Sequence, residues 1–567
     1  MTAAPRRPSS LLLPLVAAIF GVFFLWPLVE SLRGAFVDQQ GRFTLAYVAA
    51  VFQNPVYLLG FRNSLLVGCG ATALAALLGI PLALLFQRWD FPGRRPLAAL
   101  VSLPLFVPPF VGAIGIQRLL GPSGALNALL RHLGLSNPSS PIDWLREGRY
   151  FAVISLTALH LYPVLYFNLS ASLANQSAEL ERAAEMLGAH GLRKLWRVTL
   201  PLSAPSLFAS LTIIFIWSLT ELGVPLLCDY DRVTSVQIFV GLKDIGQNPF
   251  VYGLVTVALV ATVGLYTLSR LLLRRLDATA GVKGAARHER RVAGPVQRWL
   301  MTSFALLVLG AGALPNAAVV LLASSSDWYQ TVLPSGFTLD HYRAALGHAL
   351  VVPSIAQSLR YVSLSTTLDL ILGFTIAWVV VRSRAPGRKL LDALSMLPLS
   401  VPGLVLAFGY LAISREGRPL SMFNPVRDPT VLLVIAYAMR RLPFVLRSAE
   451  AGLLQMSHSV EDAAQSLGAG PRRVIWRVTL PLVLPHLAAG GLFAFALSML
   501  EVSDSLILAQ QQQHFPITKA IFELSQLNGE GRMLAAALGV WAMLLLASSV
   551  WVARRLVGDQ SRGLSDV

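Results

Sequence analysis

Glu221 and Glu501 each interrupt a long apolar run, stand 280 residues apart, and the second is followed one turn later by Asp504. Arg440 and Arg441 precede Leu442-Pro443 in another apolar run, and the matching segment 280 residues earlier has His160 ahead of Tyr162-Pro163. A charge at the centre of a membrane helix costs roughly 2.5–3.5 kcal/mol or more, so each such group is a candidate for the lining of a translocation path. The carboxylates could contact a passing cation or set a gate, or they could hydrogen-bond neighbouring helices. The arginines could neutralise those carboxylates, line a wet vestibule or hold an anion. Other chemistry is not legible. Cys69 and Cys228 both lie in apolar stretches and offer no disulfide framework, metal site or redox motif. No paired His/Glu ligand cluster of a membrane-embedded enzyme lies in the apolar runs, and no metal-ligand set can be named.

The elements that position these groups follow from composition. The chain has 567 residues, 55% hydrophobic and 13% charged, with a mean hydropathy of +0.62, which excludes a soluble or singly anchored protein. About 20 apolar residues cross a bilayer. The apolar runs predict an all-α integral membrane protein of about twelve spans, near 11–30, 64–86, 97–117, 150–174, 203–228 and 250–273, then 299–323, 358–381, 390–413, 429–446, 483–509 and 534–553. The net charge of +17 reads as Lys and Arg gathered on the cytoplasmic side rather than as a nucleic-acid surface, and it favours cytoplasmic N- and C-termini. Arg6 and Arg7 before the first apolar run are read as the flank of a retained span, not of a secretory leader. Residues 274–298 read as a basic cytoplasmic linker with a secondary attraction to lipid headgroups.

The two halves repeat each other. The segment starting at Asn63 matches that starting at Gln357, so that Gly79 falls on Gly373, Pro92-Gly93-Arg94 on Pro386-Gly387-Arg388, Pro104 on Pro398 and Pro108 on Pro402. Further on, ERAAEMLGAHGLRKLWRVTLPLSAPSL from Glu181 matches EDAAQSLGAGPRRVIWRVTLPLVLPHL from Glu461. The change of offset between the two matches falls in the loop around 121–149, where an insertion costs little closure entropy. Two tandem six-helix domains are expected, 1–273 and 299–567, both in one orientation because six is even. Pro104, Pro108, Pro109, Pro398 and Pro402 break two equivalent helices.

The best-matched segment is a loop, expected on the cytoplasmic side, so something soluble must read it. Leu180, Ala183, Ala184 and Leu187, and likewise Val460, Ala463, Ala464 and Leu467, fall on one face of a short helix. Ser177 and Ser457 are candidate N-caps, and Gly188 and Gly468 can end the helix in the left-handed region. Pro471 can open a second short helix, and Pro201 and Pro481 are expected to stop that helix before the next span. An apolar stripe with a small-residue centre suits a groove in a partner protein.

These residues carry a resemblance. Ala183-Ala184, Gly188 and Leu200-Pro201, repeated as Ala463-Ala464, Gly468 and Leu480-Pro481, resemble the loop signature of type I ABC importer permeases, over roughly 63–273 and 357–552. The resemblance implies a fused permease pseudo-dimer in the bacterial cytoplasmic membrane, whose loops 175–202 and 455–482 are coupling helices seated in two copies of an ABC ATPase. ATP and Mg are then held by those partners, with no cofactor on this chain, and an extracytoplasmic binding protein delivers the solute. The docking residues implied are Leu180, Glu181, Ala183, Ala184, Leu187 and Gly188, with Val460, Glu461, Asp462, Ala463, Ala464, Leu467 and Gly468. The family's acidic residue usually stands directly before the alanines, where this chain has Arg182 and Asp462. No phosphate-binding loop occurs in the chain. A fused chain of this kind looks most like the ferric iron permeases, with thiamine and aminoethylphosphonate permeases close in plan. The rival class is a twelve-span secondary transporter driven by an ion gradient, suggested by Asp90 and Gly93-Arg94-Arg95 after the second span.

Overall fold

The computed structural model describes residues 9–38, 40–135, 141–147, 149–242, 248–277, 291–383 and 385–562. Among the described residues the protein is predominantly helical, with two short two-stranded pairings. Among the described residues eight single helices are long and apolar enough to cross a membrane, and three bent pairs raise the number to eleven. The run expected at 429–446 forms the Thr430–Gln455 helix, whose Arg440, Arg441, Arg447 and Glu450 lower its apolar character. Its repeat counterpart, Arg149–Ala174, is long and apolar enough over Tyr150–Ala174. Most of the linker, 278–290, lies outside the described residues.

In each half the longest helix is the scaffold. Pro55–Arg88 starts with Pro55 at its first position and the Asn54 side chain accepting from Val56 N at 2.9 Å. At 34 residues it is about 50 Å long, well beyond a hydrocarbon core of about 30 Å, so it carries Arg88 clear of the apolar zone. Val351–Arg382 repeats the arrangement and ends on Arg382. The expected breaks at Pro108 and Pro402 are present: a proline cannot donate the helical hydrogen bond, and Arg388–Leu399 turns by 103° into Gly403–Ser414.

Compact units do not follow the linker. One unit comprises Met1–Val48 with Arg343–Val567, the other Ala49–Tyr342. In the first, the N-terminal helical run lies on Gly403–Ser414: Tyr410 donates to Phe23 O at 2.7 Å, Arg418 pairs with Glu30 at 3.0 Å, and Gly409 leaves room for Pro27. In the second, Pro295–Ala323 packs on Pro109–Leu120, where Gly112 and Gly115 admit Pro315 and Ala318. Each sequence repeat thus gives its first helix to the unit that holds the rest of the other repeat. Nothing in local pattern could show this, because an apolar helix face matches either core.

Coupling loops and a buried charge cluster

The loop helices are Ala178–Met186 and His458–Ser466. Ser457 caps the second, accepting from Ser459 N at 3.3 Å, whereas Ser177 makes no side-chain cap. Both helices close alike. Ala189 N returns to Ala184 O and Ala469 N to Ala464 O, with Gly188 at φ +82° and Gly468 at φ +86°, the left-handed conformation a side chain would strain. Short helices Gly191–Lys194 and Pro471–Val474 follow, then a π-helical turn in each copy, Leu195–Thr199 and Ile475–Thr479. Pro481 does not stop the helix, contrary to expectation: Pro471–Met499 runs on as one span. The wider turn just before the proline accommodates its missing donor and its clash with the preceding carbonyl. In the first copy Pro201 lies inside the Leu200–Leu202 turn, and the chain bends by 74° only at Ser203.

The apolar stripe is outward. Leu187 is 88% and Leu467 90% exposed, joined by exposed Leu180, Met186, Leu192 and Trp196 in one copy and Val460 and Trp476 in the other. Ala183, Ala184 and Ala464 are half-buried, and Ala463 and Asp462 are exposed. Glu181 and Glu461 do not belong to this face. They are 7% and 3% exposed and point inward, each held by the arginine that ends the scaffold helix. Arg88 Nη2 donates to Glu181 at 2.5 Å and to Thr199 Oγ1 at 2.6 Å, and Lys194 adds bonds to Glu181 at 2.9 Å and Glu185 at 2.8 Å. In the second copy Arg382 Nε lies 3.0 Å from Glu461 as an ion pair without hydrogen-bond geometry, and Thr479 donates to Glu461 at 2.7 Å. Arg382 also donates to Leu453 O and Met456 O at 2.8 and 2.9 Å. The sequence reading missed Arg88, Arg382, Thr199 and Thr479, although each pair is repeat-equivalent and could have been found by aligning polar residues alone.

The second group of ionisable residues lies where the helix after each loop ends. Ala204–Leu219 and Leu480–Met499 stop short of the expected span ends, and Glu221 and Glu501 sit in the breaks. Their main-chain carbonyls are held alike, by Ser235 at 2.6 Å and by Thr518 at 2.8 Å. The Glu221 carboxylate accepts from Gly223 N at 3.1 Å and Val224 N at 3.3 Å, capping the next turn. Glu501 is enclosed by cations: Arg440 at 2.5 Å and Arg441 at 2.6 Å, with Arg440 also 3.1 Å from Asp504. Tyr437 and Ser505 hydrogen-bond beside it at 2.7 Å. Arg440 leans on Gly403, the first residue after the Pro402 break, where any side chain would collide with the guanidinium. His160, in the place of Arg440, instead bonds Pro104 O at 2.8 Å. The two repeat-equivalent glutamates thus differ in their surroundings: the Glu221 carboxylate caps a turn, and the Glu501 carboxylate is paired with two arginines. Among the described residues no group of three or more His, Cys, Asp or Glu could hold a metal ion.

Two tandem helical repeats of membrane-spanning length, each presenting an exposed apolar loop held by the arginine that ends its scaffold helix, define a multi-span membrane protein of permease type. The chain belongs to the binding-protein-dependent transport system inner membrane component family, which it matches twice, over residues 75–281 and 369–557. It is a fused ABC importer permease, and the secondary-transporter reading is set aside. Among curated relatives, the ferric transport system permease protein FbpB of Actinobacillus pleuropneumoniae is 24% identical over 529 residues, covering 88% of this chain and 71% of that one. The molybdenum transport system permease ModB of Escherichia coli K12 is 31% identical over 215 residues, 35% of this chain and 93% of that one. The putative 2-aminoethylphosphonate permease PhnV of Salmonella typhimurium is 29% identical over 273 residues, 47% of this chain and 96% of that one.

Proposed function

We propose that this permease imports ferric iron handed over by an extracytoplasmic binding protein, and that its two loops seat two ABC ATPase subunits on the cytoplasmic side, where both termini also lie. The observation that carries the iron reading is the similarity to a ferric permease across both halves, whereas the molybdenum and phosphonate relatives match half the chain or less. The docking reading is supported by Leu187 and Leu467, large apolar side chains that water would otherwise surround. Glu221, Glu501, Asp504, His160, Arg440 and Arg441 serve the path as hinge and gate rather than as metal ligands, since the carboxylates already have partners. Reconstituted vesicles supplied with an ABC ATPase and a ferric-binding receptor of the same importer should take up radiolabelled ferric iron only with ATP. Uptake of molybdate or 2-aminoethylphosphonate in its place would overturn the iron reading while leaving the permease intact. Uptake that ignores ATP and follows an ion gradient would overturn the coupling.

A further inference from the structure

Asp369 lies mid-way along Val351–Arg382, is 0% exposed, and neither of its carboxylate oxygens has a hydrogen-bond partner among the described residues. A buried polar group left in this condition is among the most costly features a fold can keep. Its helix runs parallel to Thr430–Gln455: a side chain on Gly373 would meet Val445, and Arg382 bonds Leu453 O. The same register sets Asp369 level with Arg441. Arg441 is only partly satisfied. One guanidinium nitrogen holds Glu501 and Leu497 O, while its buried Nε has no partner. The repeat-equivalent of Asp369 is Ala75, also fully buried, so the packing of this helix pair does not require a carboxylate there.

We infer that Asp369 is a second seat for Arg441: when the helix that follows the coupling loop moves and withdraws Glu501, the guanidinium turns to Asp369 instead of being left unpaired in the membrane. Glu501 lies at the end of the helix that continues from the loop, whereas Arg441 and Asp369 lie on the two helices before it. The helices that carry Arg441 and Asp369 are packed together at Gly373 and at Leu453, so a shift of the Glu501 helix against this pair separates Glu501 from Arg441 and leaves Asp369 in register. Asp369 acts as a positioning residue for transport, and its stabilising effect falls in the state that Glu501 does not serve.

The inference rests on the proposed coupling to ATPase subunits, and the experiment separates the two. In the intact importer complex held in nanodiscs, thermal unfolding is measured without nucleotide and with ATP plus vanadate, alongside ATP-driven uptake of radiolabelled ferric iron. Asp369→Ala should leave the nucleotide-free midpoint unchanged or raised, remove most of the shift given by ATP and vanadate, and lower uptake at least about tenfold. Asp369→Asn, which keeps the shape but not the charge, should behave likewise. A lowered nucleotide-free midpoint would make Asp369 part of the resting fold and overturn the inference, as would native uptake. A native complex without any nucleotide-dependent shift would overturn the coupling and this inference with it. A shift present in the native complex and preserved in Asp369→Ala would overturn only the inference.

Discussion

At the end of the helix after the first loop, Glu221 meets two backbone N–H groups; at the same place after the second, Glu501 meets two arginines and a neighbouring aspartate. The difference extends to the residues at the equivalent positions around them. Where the second copy has Arg440, Arg441, Asp504 and Asp369, the first has His160, Leu161, Val224 and Ala75. The two arginines and the two aspartates are present together in the second copy and absent together from the first, because an arginine buried in a membrane without its carboxylates is costly. What both copies keep is the broken helix and a carboxylate in the break. The loops show the opposite balance, since the first copy holds its inward glutamate with Arg88 and Lys194 and the second with Arg382 and Thr479.

The sharpest break of this comparison is Glu501→Gln against Glu221→Gln. Removing the Glu501 charge takes the nearest carboxylate from both arginines and leaves Arg440 only Asp504 and Arg441 only the turn to Asp369, so a loss of about 3 kcal/mol is expected. Losing a cap at Glu221 costs about 1 kcal/mol. Denaturation of the purified variants in detergent measures both, and equal losses would remove the contrast between the copies.

A smaller effect is expected at the struts. Arg382→Ala strips Glu461 of its nearest cation and should cost about 3 kcal/mol locally, so that ATP hydrolysis no longer drives uptake. Arg88→Ala leaves Lys194 on Glu181 and should cost about 1 kcal/mol, with most coupling retained. Transferring the second copy's residue, Lys194→Val, should then make Arg88→Ala as severe as Arg382→Ala. The ratio of solute transported to ATP hydrolysed decides it; additive, mild effects in the double variant would show that Lys194 is not a second strut.

The smallest effect sharpens what the copies share. A side chain at Gly188 or Gly468 meets open space, so Ala at either position should cost only the left-handed strain, about 1 kcal/mol, with near-native uptake. Leu there should instead crowd the docking face and reduce recovery of the ATPase with the permease. If both Leu variants assemble and transport normally, the loops are not coupling helices.

Much of this was legible in the residues themselves. Apolar runs of membrane length, the repeat between Asn63 and Gln357, and the doubled Ala-Ala, Gly and Leu-Pro spacing determined an all-helical, two-copy permease with two matched loop helices, because helix periodicity and left-handed glycines are local properties. The breaks at Pro108 and Pro402 were legible for the same reason. Only the tertiary structure decided that each repeat's first helix packs in the other's unit, that Glu181 and Glu461 turn inward to Arg88 and Arg382, and that Arg440 and Arg441 close on Glu501. Whether a charged side chain faces a partner, a path or a ligand depends on groups tens to hundreds of residues away. Sequence fixes the free-energy penalty of leaving such a charge alone, and the fold chooses which distant group relieves it.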